Sequence, residues 1–246
     1  MSVTGERDGD PVRCGVSVVD LGSGMASVIA VLSALRERDR TGRGQYVEPA
    51  LMRTAMNFLN YQIAGYSLAA AEPKRLGSGH EALVPYRNFN CVDGAILIAA
   101  GNDRLWPRLC LALGIADAEG QVPFAALAMR IANRDAVNAM VSDAVSGRRR
   151  QELLDILECE GIPCAPVNTL AEYMQDPTLA AAGVLENVEV LPEQKLALAG
   201  ALFEADFLPH DRRPPPGLGQ HTAEVLESLG YADAEIGQLR DSGAIG

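Results

Sequence analysis

Two apolar runs with helical spacing dominate the first third of the chain. They cover residues 21–38 and about 48–71, and a glycine-containing break at residues 41–44 separates them. Because residues three and four apart share one face of a helix, both runs predict helices, the first of them buried. Pro49 would lie in the first turn of the second helix, where proline is tolerated. Before the first run, residues 12–20 are typical of a short buried segment that ends at a helix cap.

The pattern changes after Pro73. Residues 86–92 and 95–100 flank Asp93-Gly94, which suits a type I′ turn and predicts a β-hairpin. Residues 212–216 contain three consecutive prolines and predict an extended linker. The other predicted elements are helices near 103–113, 134–145, 148–160, 170–174, 221–229 and 233–240, a strand at 164–167 and extended pieces at 184–191 and 196–207. The chain is therefore expected to have a mixed, helix-rich α/β fold.

Composition narrows the classes of protein. Hydrophobic residues make up 48% and charged residues 22% of the 246 residues, which is ordinary for a soluble globular protein. No apolar run reaches the roughly 20 uncharged residues of a membrane span, and residues 1–10 are too polar for a signal peptide. The net charge of −11 argues against nucleic-acid binding. We therefore expect a cytoplasmic protein with neither a membrane nor a nucleic acid as its partner.

The cysteines suggest no metal centre. There are five of them, an odd number, and no two form a CxxC pair, so neither a zinc site nor a disulfide framework is predicted. They stand mostly in apolar stretches, which indicates buried free thiols in a reducing compartment. The three histidines, His80, His210 and His221, lack metal-ligand spacing, and we assign them no chemistry.

Five segments, taken together and in this order, resemble the class III CoA-transferase family, the CaiB/BaiF-like enzymes that include formyl-CoA transferase and α-methylacyl-CoA racemase. Each segment alone is a weak signal, and together they span nearly all of residues 12–246. The segments are Val18-Val19-Asp20-Leu21-Gly22-Ser23-Gly24; 40–47, Arg-Thr-Gly-Arg-Gly-Gln-Tyr-Val; 85–103, with Pro85-Tyr86-Arg87-Asn88-Phe89; 161–167, Gly-Ile-Pro-Cys-Ala-Pro-Val; and 218–231, beginning Leu-Gly-Gln-His-Thr.

The resemblance implies an incomplete two-domain fold. Family members are longer, and the N-terminal Rossmann-like domain that supplies most CoA contacts has no counterpart here. Residues 1–72 would be the helical remainder of the large domain, 73–168 a small α/β domain, and 169–246 a return segment with C-terminal helices packing on the large domain. The chain is expected to be a fragment or a split subunit that exposes apolar helix faces at residues 25–38 and 48–71. Family members form interlocked dimers, so a homodimer, or a heteromer with a CoA-binding chain, is implied.

Asp20 matches the family's acyl-accepting aspartate. The resemblance implies that its carboxylate attacks an acyl-CoA and is converted, through a mixed anhydride, to an aspartyl-CoA thioester. Gly22 and Gly24 would leave room for the thioester, and the N-terminus of the following helix would favour the anion. We expect Asp20 at a strand-to-helix junction, with residues 22–24 opening the helix. The alternative is an aspartate that only caps a buried helix.

Two further elements are candidates for substrate binding. Gly77, Ser78 and Gly79 would form a lid that excludes water from the thioester, or else a plain domain linker. Asn102 occupies the position that matches a proton-transferring glutamate of the racemases. An amide cannot act as an acid or base, so Asn102 favours a transferase.

The predicted activity is CoA transfer between an acyl-CoA and a free carboxylic acid. The CoA thioester is a substrate, and no permanently bound cofactor or metal is expected. Two alternatives remain: an α-methylacyl-CoA racemase type of enzyme, and a non-catalytic subunit of a heteromeric CoA transferase.

Overall fold

A computed structural model describes residues 1–118, 120–121, 123–191, 194–203, 205 and 214–245. Within them the chain forms two compact units, Met1–Val167 and Asn168–Gly246. The three-part division at residues 72 and 168 remains a prediction. His210 and the first two residues of the proline-rich linker, Arg212 and Arg213, lie outside the described residues.

Three helices open the first unit: α1 (Val18–Thr41), α2 (Leu51–Phe58) and α3 (Asn60–Ala69). The two predicted helical runs are confirmed with shifted ends. The second run breaks at Leu59 and begins after Pro49, so the proline precedes the helix instead of occupying its first turn. Gly42 ends α1 with φ 71°, a left-handed conformation that glycine adopts without strain, and its N–H bonds to the Arg38 carbonyl at 2.7 Å.

These helices expose their apolar side chains. No residue of α1, α2 or α3 is buried, so the expectation of a buried first helix is wrong: within the residues that the structure describes, nothing covers it. The separate expectation of exposed apolar faces at residues 25–38 and 48–71 is confirmed. Exposed large apolar residues of the three helices are Val18, Leu21, Met25, Val28, Ile29, Val31, Leu32, Leu35, Leu51, Met52, Met56, Phe58, Tyr61, Ile63, Tyr66 and Leu68.

Helix α1 is longer than the sequence indicated. It runs from Val18 to Thr41 and is long and apolar enough, by length and composition alone, to cross a membrane, with a mean hydropathy of 1.8 over its best window. It is the one helix of the described residues that meets this criterion, which core helices of soluble proteins also meet. The uncharged run within this helix, bounded by Asp20 and Arg36, still falls short of about 20 residues, so the sequence expectation is not contradicted. The absence of a membrane partner remains a prediction.

The predicted hairpin is confirmed in a three-stranded sheet. Strands β1 (Tyr86–Cys91), β2 (Gly94–Ala99) and β3 (Cys164–Val167) follow the order β1-β2-β3 with both pairs antiparallel. Cys91 pairs with Gly94, so Val92 and Asp93 form the turn, one residue earlier than predicted. Gly94 has φ 148°, which a side chain would rarely tolerate.

Helices cover this sheet and enclose the core of the unit. Helix α6 (Arg134–Ser146) packs against β1, and α7 (Arg150–Cys159) packs against β2 and β3. The core consists mainly of buried aliphatic side chains from the sheet and the helices, together with Phe89, Phe124, Cys110 and Trp106. The elements between β2 and β3 are α4 (Leu105–Leu113), a 3₁₀ turn (Ala116–Ala118), α5 (Leu127–Ala132), α6 (Arg134–Ser146) and α7 (Arg150–Cys159).

The second unit has a small core. Among its described residues only Val188 and Ile236 are buried apolar side chains. Thr169 opens its first helix with a capping box, in which Glu172 accepts from the Thr169 N–H at 2.7 Å. Its elements are α8 (Leu170–Met174), α9 (Pro177–Ala181), the antiparallel strands β4 (Leu185–Leu191) and β5 (Gln194–Ala199), α10 (Thr222–Ser228) and α11 (Asp233–Asp241).

All five cysteines are free thiols, as expected, but they are not all buried. Cys110 is fully buried, and Cys91 and Cys164 are partly buried. Cys14 and Cys159 are exposed, which corrects the expectation of uniformly buried thiols. Cys14 belongs to the segment before α1, whose apolar residues lack a cover. Within the described residues, no three His, Cys, Asp or Glu side chains are grouped closely enough to hold a metal ion.

Candidate active site

Asp20 lies in the first turn of α1, where its side chain is exposed to solvent. The helix begins at Val18, and the Leu21 N–H donates to the Ser17 carbonyl at 3.0 Å. The first amides of a helix point toward its N-terminus without intrahelical acceptors, so a carboxylate in the first turn is favoured electrostatically. The position leaves the carboxylate accessible to a large substrate.

The expected strand-to-helix junction is absent. Residues 11–17 form an exposed irregular segment, and the β-branched Val18 and Val19 belong to the helix. Asp20 is its third residue, so Gly22 and Gly24 lie within the helix and do not open it. The β-branched run was misinterpreted because a short strand needs a neighbouring strand, and the described part of the chain pairs none with it.

Gly22 and Gly24 have different surroundings. A Cβ added to Gly22 would lie 2.5 Å from Cζ of Phe58 and 3.1 Å from Cγ2 of Thr54, so this glycine permits close contact between α1 and α2. The neighbouring Ser23 hydroxyl donates to the Thr54 hydroxyl at 2.9 Å. A Cβ on Gly24 would have nothing within 4 Å. Gly24 therefore faces open space, and its role in admitting a thioester remains a prediction, whereas Gly22 has a packing role.

The Gly77-Ser78-Gly79 segment is an exposed loop with several anchors. Gly77 has φ 60°, and its N–H donates to the Gly5 carbonyl at 2.9 Å. The Ser78 hydroxyl accepts from the Asn88 N–H of β1 at 3.2 Å, and the Gly79 N–H donates to the Leu76 carbonyl at 2.8 Å. These contacts define one conformation of the loop. Its role as a lid remains a prediction.

Asn102 caps the start of α4. Its side-chain oxygen accepts from the N–H groups of Arg104 and Leu105 at 3.1 and 2.9 Å. An asparagine that accepts from the first helical amides stabilises the helix start. The residue is exposed, and its predicted contact with substrate remains a prediction. No hydrogen bond or ion pair reported for the described residues joins Asp20 to Asn102 or to the Gly77–Gly79 loop.

Sequence reasoning missed Arg130, a fully buried charged residue of α5. Its guanidinium donates to Asp103, next to Asn102, at 2.8 Å, and to the Val84 carbonyl at 3.1 Å. The hydrogen bond from Arg130 holds the pKa of Asp103 below its ordinary value. The available signal was a single arginine in the otherwise apolar run 124–132. A charge in such a run is either exposed or fully paired.

A polar cavity of about 290 Å³ lies beside the loop. Three arginines line it, and so do three carboxylates, including the Arg7–Asp135 ion pair at 2.8 Å. The formal charges cancel, so the cavity has no net attraction for the phosphates of CoA. The other charged residues that line it are Glu6, Asp8, Arg87 and Arg134.

Comparison with known proteins identifies the fold. The profile of CoA-transferase family III matches residues 1–222. A succinate–glutarate CoA-transferase from Agrobacterium fabrum is 32% identical over 93% of this chain and 58% of its own length. The human succinyl-CoA:glutarate CoA-transferase is 30% identical over 100% of this chain and 56% of its own. The chain thus spans a little over half the length of these curated relatives.

Solved structures share the fold of this chain. A CaiB/BaiF family protein from Brucella suis superposes with a TM-score of 0.76 and 33% identity, covering 93% of this chain and 60% of that one. A protein from Mycobacterium tuberculosis, 23% identical, shares the fold with a TM-score of 0.75 over 88% of this chain and 57% of its own. The family profile matches most of this chain, which therefore belongs to CoA-transferase family III and has the mixed α/β fold of part of a CaiB/BaiF protein.

Proposed function

We propose that this chain contributes the catalytic aspartate, Asp20, of a CoA transferase that moves CoA between an acyl-CoA and a free carboxylic acid. The observation that carries the proposal is the accessible position of Asp20 in the first turn of α1, in a chain of CoA-transferase family III. A carboxylate suits the task because it is a competent nucleophile and, once acylated, a good leaving group.

In the proposed reaction, the exchange of CoA proceeds through successive acyl transfers that involve the Asp20 carboxylate. An oxygen of Asp20 attacks the thioester carbonyl, the C–S bond breaks, and a mixed anhydride and CoA thiolate result. The thiolate attacks the Asp20 carbonyl carbon, releasing the donor acid and leaving an aspartyl-CoA thioester. The acceptor carboxylate then repeats the two steps in reverse, giving a new acyl-CoA and free Asp20. Helix α1 would stabilise the developing oxyanion through its first N–H groups.

The names of relatives suggest the first substrates to test. Two relatives are named for succinate or succinyl-CoA with glutarate, and another is a succinyl-CoA:mesaconate CoA-transferase from Haloarcula hispanica. All of these acids are short dicarboxylates. We therefore propose succinyl-CoA as the donor to assay first, with a short dicarboxylic acid as acceptor.

Activity is expected to require a further polypeptide region, either in the same protein or in a partner chain. The relatives are longer, and α1, α2 and α3 bury no residue here. Apolar helix faces of this size are normally covered by protein. The proposed complement is the N-terminal CoA-binding part of such a relative, and the assembly is proposed to be a homodimer or a heteromer.

The test is CoA exchange in the presence of that complement. The chain is produced together with an N-terminal part of the Agrobacterium relative, and transfer of CoA from succinyl-CoA to labelled glutarate is followed. Asp20→Asn should reduce the rate at least about a thousandfold, because it removes the nucleophile and leaves only binding. Asp39→Asn is the matched control: it lies on the same helix, is exposed and pairs only with its neighbour Arg38 in the described contacts, at 3.0 Å.

Three results would contradict the proposal. Undiminished exchange in Asp20→Asn would indicate a non-catalytic subunit. Exchange of the substrate α-proton with solvent deuterium, without transfer of CoA, would indicate a racemase. Equal losses in the Asp20 and Asp39 variants would mean that the charge of α1 matters and that no covalent step occurs at Asp20. Mass spectrometry of the trapped aspartyl-CoA thioester would complete the test.

A further inference from the structure

Arg130 holds two segments that are distant in sequence. It is fully buried, and its guanidinium reaches three directions: Nε donates to the Val84 carbonyl at 3.1 Å, Nη1 to the Phe124 carbonyl at 2.8 Å, and Nη2 to Oδ1 of Asp103 at 2.8 Å. Its charge also lies over the Trp106 ring, 5.3 Å from the centroid. A buried charge is tolerated only with such complete pairing, so losing one bond affects all of its partners.

The two anchored segments carry predicted substrate-binding residues. Val84 lies in the segment that joins the Gly77–Gly79 loop to β1, two residues before the strand begins at Tyr86. Asp103 follows Asn102 directly, and its Oδ1 also accepts from the Leu127 N–H at 2.7 Å, which caps α5. The two segments already meet at the end of the β1–β2 hairpin, where the Ala100 N–H donates to the Pro85 carbonyl at 3.0 Å. The guanidinium adds a side-chain connection between the base of the loop and the turn that contains Asn102.

A second arginine supports only the loop. Arg134, one helical turn further along the chain, donates from Nη1 to the His80 carbonyl at 2.7 Å and from Nη2 to the Glu81 carbonyl. Residues 80–84 are thus held at three carbonyls by two arginines. In contrast to Arg130, Arg134 has no described hydrogen bond to residues 101–103.

We propose that Arg130 is a positioning residue that fixes the Gly77–Gly79 loop and the Asn102 turn in one arrangement relative to each other. The structural part of this inference stands on the contacts alone, and its relevance to catalysis rests on the proposed function. Arginine is required because its planar fork donates in several directions at once. A lysine, as a point charge on a flexible stem, cannot satisfy the three acceptors together.

Hydrogen–deuterium exchange of the isolated chain tests the coupling without any activity. Arg130→Met should speed exchange at least about tenfold in peptides that cover both 80–88 and 102–106. Arg134→Met should do so only in the first peptide, because its described bonds are to the His80 and Glu81 carbonyls. Arg108→Met is the matched control: its exposed ion pair with Glu160 is long, 3.8 Å, and neither peptide should change.

Exchange in α7, which lies in the core, separates a local effect from unfolding. If Arg130→Met also releases α7, the milder Arg130→Lys replaces it, and the two peptides should still change together. Coupling is refuted if either Arg130 variant loosens only one peptide, or if Arg134→Met loosens both. These outcomes do not depend on whether the chain transfers CoA.

Steady-state kinetics of the chain together with its N-terminal complement test whether Arg130 matters for catalysis. Arg130→Lys should raise the KM for the acyl-CoA about tenfold and leave kcat within about threefold, because a displaced loop weakens binding without removing the nucleophile. A purely structural role would lower the amount of active enzyme, reducing the apparent kcat at constant KM. That result would overturn the positioning role, and an inactive wild type would count against the proposed function alone.

Discussion

Replacing Gly24 by alanine distinguishes a glycine needed for substrate from one tolerated in a helix. A Cβ at this position meets nothing within 4 Å, and the residue lies inside α1 with α-helical neighbours on both sides. Alanine is better than glycine in a helix interior by about 1 kcal/mol. Gly24→Ala should therefore stabilise α1 by about 1 kcal/mol, and it should lower the transferase activity if the space beside Gly24 admits the thioester.

Gly22→Ala is the matched variant on the same helix. The same gain of about 1 kcal/mol is opposed by a Cβ that would lie 2.5 Å from the Phe58 ring. Phe58 is 50% exposed, so its ring can move, but it then loses packing, and the hydroxyl bond between Ser23 and Thr54 is strained. Overpacking typically costs about 1–3 kcal/mol. The net effect is expected to be a loss of up to about 2 kcal/mol.

Local hydrogen exchange in peptides from α1 is the appropriate assay, because a helix without buried residues can open separately from the core. Gly24→Ala should slow exchange about fivefold, as 1 kcal/mol requires, and Gly22→Ala should accelerate it. Equal effects of the two substitutions would refute the packing argument. If Gly24→Ala stabilises the helix and leaves CoA exchange untouched, Gly24 has no role in admitting substrate.

Two further measurements test the described environments. In the folded chain, iodoacetamide at about pH 8 should label Cys14 and Cys159 first, because both are exposed. Burial raises the pKa of the Cys91 and Cys164 thiols and slows their reaction. Labelling of all five cysteines at one rate would contradict the fold. The stability of the wild-type chain should fall as the pH drops below about 4. The hydrogen bond from the buried arginine lowers the pKa of Asp103, so the ionised carboxylate stabilises the fold above the unfolded pKa and that contribution is lost below it. In urea titrations Asp103→Asn should show a smaller decrease in stability, and an equal decrease would contradict the depressed pKa.

Local sequence predicted the helices and strands whose determining residues lie within the element itself. The β1–β2 hairpin, the strand Cys164–Val167 and helix Leu170–Met174 formed as expected, since an alternating pattern or a capping box acts over a few residues. Helix α5 was missed because its start is capped from afar. The Leu127 N–H is satisfied by Asp103, 24 residues earlier, and no pattern near residue 127 reveals that partner.

In the candidate site, too, local sequence revealed some features and not those that depend on the tertiary fold. A motif indicated a helix start near Asp20, but the helix begins two residues before it and the predicted strand is absent, because strands depend on partners that the local sequence does not contain. Arg130 is the opposite case. Its position was visible as a charge in an apolar run, yet its meaning depends on carbonyls of Val84 and Phe124, which only the fold brings together. Predicting such a residue requires the tertiary structure.

The composition of helix α1 fits both a membrane span and a helix covered by protein. Its contacts favour a protein cover. Gly22 brings α1 against Phe58, and the Ser23–Thr54 hydroxyl bond lies in the same contact, so one face already packs on α2. The other faces expose Ile29 and Leu32, and Asp20, the proposed nucleophile, is exposed at the start of the helix. A helix with one face packed on α2 and its other faces apolar and exposed is the arrangement expected of a helix that further protein covers.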